Sequence, residues 1–409
     1  MKSQTFDICI IGGGPVGLAV AAALSRDAVA GTAERTRPLS VALIEQNDIA
    51  PTLTTKFDGR TIALAHQGIE LLKRAGVWKE LQQHAEPMQH IRIADQHSSL
   101  KLDFHAEELG VGPFGFMVEN RHLRSALWQQ VKKQKNVTVF CPASVKDFSL
   151  DGHMASVTLN NGDTINAALI IAADGRFSPS KKKQNIANFG FSYEELALTC
   201  TIEHSNPHNN IALEHFLPEG PLATLPLTGN RSGIVWTAKP DTVKTLLDLD
   251  EADFLQLLAQ HGADWLGDLK LHTPRVSYPL SLQHAHTYTA PHFVLVGDAA
   301  HVMHPIAGQG FNMGLRDVAC LVRLIAEAQS RGLRADDTSV LTQYEMQRRR
   351  DNQSMLAATD LIDRLFRSGN PLLKPARKIG LALVDAIGPL RRYFMAQAMG
   401  LNNINNKAA

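Results

Sequence analysis

The chain has 409 residues, and 44% of them are hydrophobic, which excludes a disordered chain and allows two or three structural units with sizeable cores. Its 41 lysine and arginine residues nearly balance its 40 acids, so the net charge of +1 provides no overall field that would attract nucleic acid. The four cysteines lie far apart without CxxC spacing, which argues against a disulfide framework or a zinc–thiolate site and favours a reducing compartment.

The sequence shows no targeting or membrane-spanning pattern. The amino terminus leads straight into an apolar strand pattern rather than a signal peptide. No later stretch reaches the roughly 18 uninterrupted apolar residues that a membrane span needs. We therefore expect a protein of the cytoplasm that is soluble or attached peripherally to the inner face of the membrane.

The first part of the chain alternates strand and helix patterns. Apolar runs predict strands at 6–11, 41–45, 137–140, 155–159 and 165–172, and helical patterns cover Pro15–Leu24, 61–81 and 123–133. This alternation is typical of an α/β domain with a parallel sheet.

Longer strand patterns with Pro and Gly punctuation follow between about 180 and 285, and they predict a second domain built on an extended sheet. A buried-strand pattern then returns at 293–298, and most of the chain from Met313 onward has a helical pattern. The predicted units are 1–180 for the first part of the α/β domain, 181–285 for the sheet domain, 286–365 for the return to the first domain, and 366–409 for a basic helical segment.

The first strand is followed by a glycine motif that is typical of dinucleotide binding. Gly12, Gly14 and Gly17 fit G-x-G-x-x-G between a strand and a helix, and Glu45 ends the next strand. Such glycines allow the backbone to approach a pyrophosphate, the helix N-terminus offers unpaired N–H groups, and the carboxylate accepts hydrogen bonds from ribose hydroxyls. The alternatives are a glycine-rich turn and, for Glu45, a solvated strand end.

A second motif follows the strand pattern at 293–298. Gly297 and Asp298 are followed by a segment that is rich in glycine and opens a helix, with Pro305, Gly308, Gly310, Phe311 and Asn312. A carboxylate at a strand end can bind the hydroxyls of a sugar or ribityl chain, and a helix N-terminus stabilises negative charge on a ligand. Asp298 could instead be a simple helix N-cap.

Four sequence motifs, together with their order along the chain, resemble those of the class A flavoprotein aromatic hydroxylases, the para-hydroxybenzoate hydroxylase-like proteins. The segment 297–317 resembles the ribityl-binding GD motif, and 173–178 resembles the DG motif, which touches flavin and nicotinamide nucleotide. The segments 58–64 and 119–123 match the flavin-side arginine segments of this family. The resemblance covers residues 6 to about 320 and implies an FAD-binding Rossmann-like α/β domain, an inserted β-sheet substrate domain and a helical C-terminal region.

The resemblance also implies a set of site residues. Pro305, Gly308 and Gly310 would form the environment of the flavin ring, and no acid or base is assignable. The residues that would bind FAD are Gly12, Gly14, Gly17, Glu45, Arg60, Arg121, Asp174, Asp298, Gly310, Phe311 and Asn312. Arg60 and Arg121 could also be ordinary surface charges.

The reaction that the resemblance implies is ring hydroxylation. NAD(P)H would reduce FAD, O2 would add to give a flavin C4a-hydroperoxide, and one oxygen would pass to an aromatic ring. Because no second G-x-G-x-x-G is present, we expect the nicotinamide nucleotide to bind transiently. The chain departs from the family at Lys181, where the DG motif usually ends in arginine, which weakens the assignment of the reductant contact.

Three further segments are similar to the ubiquinone-biosynthesis monooxygenase branch of this family. They are 215–227, 236–237 and 278–280. The substrate implied is a polyprenylated phenol. Two alternatives stay open: a flavoprotein reductase of isoprenoid lipids, which would not depend on O2, and a non-catalytic flavin-binding subunit of a biosynthetic complex. A flavin halogenase fits less well, because the tryptophan signature of those enzymes is absent.

The last 46 residues are strongly basic. They contain eight lysine or arginine residues and one acid, Asp385, which gives a local net charge of +7. Apolar residues recur at helical spacing and are interrupted at Gly388 and Pro389, so the pattern predicts two short amphipathic helices. These helices either pack on the flavin domain or contact an anionic membrane or a ubiquinone-biosynthesis complex.

Histidines also cluster in two places, at His301 and His304 and at His284 and His286. No cysteine or carboxylate completes a tetrahedral set beside them. The sequence therefore predicts no metal site.

Overall fold

The computed structural model describes residues 2–24, 38–50, 53, 60–95, 101–110, 112–303 and 309–367. The helices are α1 (Pro15–Leu24), α2 (His66–Arg74), α3 (Trp78–Leu81), α4 (Asn120–Lys132), α5 (Pro179–Lys183), α6 (Pro240–Asp248), α7 (Glu251–Leu258), α8 (Gln309–Ser330) and α9 (Thr338–Arg367). The predicted basic segment 366–409 lies outside the described residues except for its first two, which end α9. Within the described residues, no helix has a stretch both long and apolar enough to cross a membrane.

The first sheet carries the motif-bearing strands. It contains β1 (Ser3–Ile11), β2 (Val41–Ile44), β8 (Val137–Phe140), β9 (Val145–Ser149), β10 (Ala155–Leu159), β11 (Thr164–Ala172), β18 (Thr289–Ala290) and β19 (Phe293–Leu295). The strands β19, β11, β1, β2 and β8 are neighbours in that order and all run parallel. The carboxyl-terminal halves of the inner strands β1 and β11 are apolar and buried, because helices such as α1 and α8 cover the sheet.

The second sheet is formed mainly by the predicted segment 181–285. It contains β5 (His90–Asp95), β6 (Lys101–His105), β12 (Asn188–His204), β13 (Ile211–Leu217), β14 (Gly220–Leu227), β15 (Arg231–Ala238), β16 (Leu269–Leu271), β17 (Val276–Ala285) and β20 (His301–Val302). The main path runs β20-β17-β12-β15-β14-β13-β5-β6. Strands β5, β6 and β20 belong to this sheet although they lie outside 181–285. They join it because β5 pairs in parallel with β13, β6 pairs with β5, and β20 pairs with the end of β17.

A third, small sheet lies between these two and corrects one prediction. It contains β3 (Thr61–Leu64), β7 (Gly115–Glu119) and β4 (Ala85–Met88). The predicted continuous helix over 61–81 is therefore wrong at its start, since residues 61–64 pair with β7 and the helix begins only at His66. The end of β7 leads directly into α4, which confirms the helix that the sequence predicts there.

Two apolar cores give the second sheet two different faces. One core lies between this sheet and helices α6 and α7, where Leu222 and Trp236 pack with Phe254. The opposite core lies toward the third sheet, where Ala212 packs with Met88 and Met117. One face of the second sheet is therefore covered by its own helices, and the other is turned toward the α/β domain.

Candidate active site

Three predicted motifs meet at one edge of the parallel sheet. The glycine loop follows β1, Asp174 follows β11, and Asp298 follows β19. The register places Ile11 beside Ala172 and Ala172 beside Leu295, so the three strands end at the same level. Ligands of open α/β sheets bind outside the carboxyl ends of the strands. This edge is the candidate active site.

The glycine loop is shaped for a close approach. Gly12 has φ +109°, and a Cβ atom there would lie 2.5 Å from the carbonyl oxygen of Ala173. A Cβ at Gly17 would lie 1.9 Å from the carbonyl oxygen of Gly12, so α1 packs directly on the loop. A Cβ at Gly14, by contrast, would meet no described atom within 4 Å. The loop thus has open space at the start of α1, where unpaired N–H groups attract a phosphate.

Glu45 lies beside this loop, directly after β2. Its Oε2 accepts a hydrogen bond of 2.6 Å from the N–H of Gly13, and its Oε1 accepts one of 2.9 Å from Asn47. These bonds fix the carboxylate next to the glycine loop. Ribose binding by Glu45 stays a prediction.

The DG segment is held by its own aspartate. Asp174 accepts hydrogen bonds from the hydroxyl of Ser178 and, at 3.0 Å, from the N–H of Ser180 at the start of α5. Lys181 follows on the same helix and is only 5% exposed, and its Nζ has no hydrogen-bond partner within the described residues. Burial lowers the pKa of Lys181, while the carboxylates of Asp174 and Asp298 act in the opposite direction. A buried ammonium group without a partner is costly unless a ligand pairs with it.

Asp298 lies in a recess. Its side chain is exposed to solvent, yet the surrounding protein desolvates the carboxyl and raises its pKa. His301, Arg60, Arg176 and Lys181 oppose that shift. A carboxyl that solvent reaches while protein and cations surround it is well placed to bind the hydroxyls of a ligand.

The two arginines of the flavin-side segments have different surroundings. The guanidinium of Arg60 lies 5.7 Å from the centre of the Tyr278 ring of β17, so it bridges the third and second sheets. Arg121 lies at the start of α4, 3.4 Å from the buried carboxylate of Glu119. Burial alone would raise the pKa of Glu119, but His122, Arg231 and Arg121 outweigh it and lower the pKa to about 2. A role of either arginine in FAD binding stays a prediction.

The start of α8 completes the site on the other side. Asn312 donates 2.7 Å to the carbonyl of Ala63 and accepts 2.9 Å from the N–H of Ala65, so it ties α8 to the end of β3. Phe311 is partly buried against the main core, and Gly310 has open surroundings apart from Met303. Pro305 and Gly308 lie outside the described residues.

A buried polar network behind Asp298 was not predicted from the sequence. Asp317 of α8 is fully buried and accepts hydrogen bonds from the N–H of Gly297 (2.9 Å) and from Arg348 (2.8 Å). His301 lies 2.6 Å from the same carboxylate, which gives this histidine a structural partner. The Asp298 turn is thus anchored to α8 and α9. The sequence feature that could have indicated this network is Asp317 itself, a lone aspartate in a largely apolar helical pattern twenty residues after Gly297.

One further residue was missed on the second sheet. Glu214 lies in the middle of β13, an otherwise mostly apolar strand, and is partly accessible. Burial raises the pKa of its carboxyl to about 7. A single acid within an apolar strand pattern is the signal that could have found it.

A cavity of about 510 Å³ lies elsewhere in the described part of the chain. Thr5, Asp7, Ser40 and Arg334 help to line it, around the amino-terminal half of β1. The motifs predicted to bind a nucleotide follow the carboxyl ends of the strands, so the candidate site is the motif-bearing edge and not this cavity.

Comparison with known proteins finds a matching family and relatives that are named as hydroxylases. A family model described as FAD binding domain matches residues 5–359. The chain is 40% identical to "Ubiquinone hydroxylase UbiL" of Rhodospirillum rubrum, over 96% of this chain and 89% of that protein. It is 32% identical to "3-demethoxyubiquinol 3-hydroxylase" of Escherichia coli, over 98% of this chain and 100% of that protein.

A solved structure has the same fold. The crystal structure of p-nitrophenol 4-monooxygenase PnpA from Pseudomonas putida superimposes with a TM-score of 0.78 at 17% identity, covering 98% of this chain and 99% of that chain. This likeness confirms the predicted fold class.

Proposed function

The chain belongs to the FAD binding domain family, and we propose that it hydroxylates the aromatic ring of a polyprenylated phenol in ubiquinone biosynthesis, with NAD(P)H and O2 as co-substrates. The observation that carries the proposal is the meeting of the glycine loop, Asp174 and Asp298 at one sheet edge, with a second sheet turned toward it. The substrate class follows from relatives named as ubiquinone hydroxylases.

The described residues fit FAD. The space beside Gly14 at the start of α1 suits a pyrophosphate, and the recessed carboxyl of Asp298 suits the ribityl hydroxyls. The orphaned ammonium of Lys181 suits a negatively charged ligand group. When bound, FAD supplies the redox and oxygen chemistry that amino acid side chains lack.

The protein contributes orientation and exclusion of water. The face of the second sheet that is turned toward the α/β domain carries small and apolar side chains, including Ala223, Leu225 and Val235. Such a surface suits an aromatic ring with an isoprenoid tail and keeps water from the reacting atoms. The N–H groups at the start of α8 suit negative charge on a reduced cofactor.

The metabolite that accumulates without the protein tests this assignment. A strain lacking the gene should accumulate a prenylated intermediate that lacks one ring oxygen, identified by its mass. The native chain should restore the pathway, whereas Gly14→Val should not. An intermediate that has all its ring oxygens but unsaturated bonds that are normally removed would favour the isoprenoid reductase instead.

Oxygen dependence separates the remaining alternatives. Addition of the phenol to purified enzyme should accelerate NAD(P)H oxidation, and product should form only with O2 present. Product formation without O2 would identify a reductase. Flavin binding with no response to any phenol would identify a non-catalytic subunit.

We also propose that the basic C-terminal segment contacts anionic lipid, where a polyprenylated substrate resides. The support is the net charge of +7 of the last 46 residues and their amphipathic pattern. Binding to vesicles should require anionic lipid, weaken as salt rises, and decline when Arg391 and Arg392 are changed to Gln, each charge being worth about 1 kcal/mol. Unchanged flotation with a lower melting temperature would instead mean that the segment packs on the protein.

A further inference from the structure

Glu214 occupies a defined position on the second sheet. Side chains alternate between the two faces of a strand, so Glu214 shares one face of β13 with Ala212 and Phe216. The register places Glu214 opposite Ala223 of β14 and opposite Ile93 of β5. It is therefore flanked on both sides by apolar neighbours.

This face is the one turned toward the candidate active site. Ala212, two residues before Glu214, packs with Met88 and Met117 of the third sheet. On β15 the same face includes Gly233, where a Cβ would lie 3.0 Å from the side chain of Thr61, next to Arg60. The opposite face, with Leu217 and Leu222, is covered by α6 and α7. Glu214 thus points away from the helical layer and toward the α/β domain.

The carboxyl has no assigned structural role. Within the described residues it makes no hydrogen bond or ion pair, although it is only partly accessible. The nearest charged pair on β5 and β6, Arg92 with Asp103, is on the other face, because Arg92 lies opposite Leu213. Asp95 occupies the next position on the Glu214 face of β5, opposite Phe216.

Its environment suits proton transfer near neutral pH. Burial is the cause that raises the pKa of Glu214 to about 7, so the carboxyl exchanges its proton in the range in which an enzyme operates. On β14 the residues that share its face are Pro221, Ala223 and Leu225, none of which titrates. An acid that apolar side chains flank, on a face turned toward a candidate active site, is typical of a general acid–base group.

On the basis of the proposed hydroxylase function, we propose that the carboxylate of Glu214 accepts the hydroxyl proton of the phenol substrate during ring hydroxylation. The O–H bond of the phenol breaks, its electron pair stays on the phenolate oxygen, and a new O–H bond forms on Glu214. This step involves no oxidation or reduction, since the oxygen atom and the electrons come from O2 and NAD(P)H. The phenolate donates electron density to the ring and so activates it toward the electrophilic oxygen. The partial accessibility of Glu214 gives the proton a route to solvent afterwards.

The test compares Glu214→Gln with Glu219→Gln in the holoenzyme. Glu219 is the matched control, because it lies exposed in the turn between β13 and β14. Product formation by the native enzyme should rise as pH increases through about 7, when Glu214 loses its proton. In Glu214→Gln that rise should disappear and product formation should fall on the order of 10²- to 10⁴-fold, with flavin content unchanged. Glu219→Gln should behave like the native enzyme.

The failure of this inference differs from a failure of the proposed function. A native enzyme that hydroxylates no phenol would overturn the function itself. A native enzyme that hydroxylates, together with a Glu214→Gln variant that keeps both the rate and the rise near pH 7, would overturn only the role of Glu214.

A measurement on the native chain covers the case in which Glu214→Gln does not fold. The methyl ether of the same phenol has no hydroxyl proton, so its hydroxylation should be slower by at least about 10²-fold and should show no rise near pH 7. An ether that reacts with the same pH dependence as the phenol would contradict proton transfer to Glu214.

Discussion

Gly14 and Gly17 lie in the same loop but have different surroundings. A Cβ at Gly14 meets open space, whereas a Cβ at Gly17 collides with the carbonyl of Gly12. We expect Gly14→Val to fold normally and to lose FAD, because its side chain fills the path of the pyrophosphate. Gly17→Ala should instead lower the melting temperature of the apoprotein. Flavin content and thermal unfolding measure both effects, and a Gly14→Val variant with native flavin content would remove the dinucleotide interpretation.

Asp298 gives a second prediction at the residue scale. Asp298→Ala should weaken FAD retention by about 1–3 kcal/mol, the range expected for lost hydrogen bonds to a charged group. Exposed Asp151, in the loop between β9 and β10 and remote from the motifs, provides the matched control as Asp151→Ala. Equilibrium dialysis of FAD measures the change. Equal retention in the two variants would show that Asp298 is a turn residue and not a ligand.

Asp317 of α8 holds the elements around the site together, because its carboxylate accepts hydrogen bonds from Gly297 after β19 and from Arg348 of α9. Burial would raise the pKa of this carboxyl, but His301 and Arg348 outweigh burial and lower the pKa to about 2. Because the pKa in the folded protein is below the unfolded value of about 3.9, the carboxylate stabilises the fold above that value and loses its effect as pH falls toward 2.

Asp317→Asn should therefore destabilise the protein at neutral pH, by up to about 3–5 kcal/mol, because Arg348 loses its buried carboxylate partner and keeps only the half-buried Asp351. FAD retention should fall as well, since the Gly297 turn loses an anchor. Denaturant unfolding at a series of pH values checks this, and the difference from the native chain should shrink as pH falls from 4 toward 2. A constant difference at every pH would contradict the assigned role of the charge.

The sequence predicted the elements that carry strong local signals. The glycine loop, the helix after it and the strands before Asp174 and Asp298 were all found, because long apolar runs ending in Gly or Asp are distinctive. The helix over 61–81 was wrong at its start, because a four-residue apolar run such as β3 cannot be assigned by periodicity alone. The partner of β3 is β7, more than fifty residues later, and only the tertiary pairing makes that segment a strand.

Long-range pairing also limited prediction at the scale of the whole molecule. The strands β5 and β6 join the second sheet although more than eighty residues separate them from β12 in the sequence. The family and its FAD were predicted correctly from motif order, as the matched family and relatives confirm. The sequence identified Lys181 only as the end of the DG motif. The properties of Lys181, Glu214 and Asp317 could not be predicted, because they depend on burial and on facing partners that only the folded chain provides.

In the whole molecule, an apolar face of the second sheet is turned toward the sheet edge that carries the predicted nucleotide motifs. The central claim is that this arrangement transfers one atom of O2 to the ring of a prenylated phenol. The direct measurement is mass spectrometry of the product formed by purified holoenzyme with NAD(P)H under oxygen-18. The account predicts that the product of the native holoenzyme carries one heavy oxygen on its ring. An apo Gly14→Val preparation should form no hydroxylated product. A product that carries oxygen only from water, or a saturated isoprenoid product without new oxygen, would contradict it.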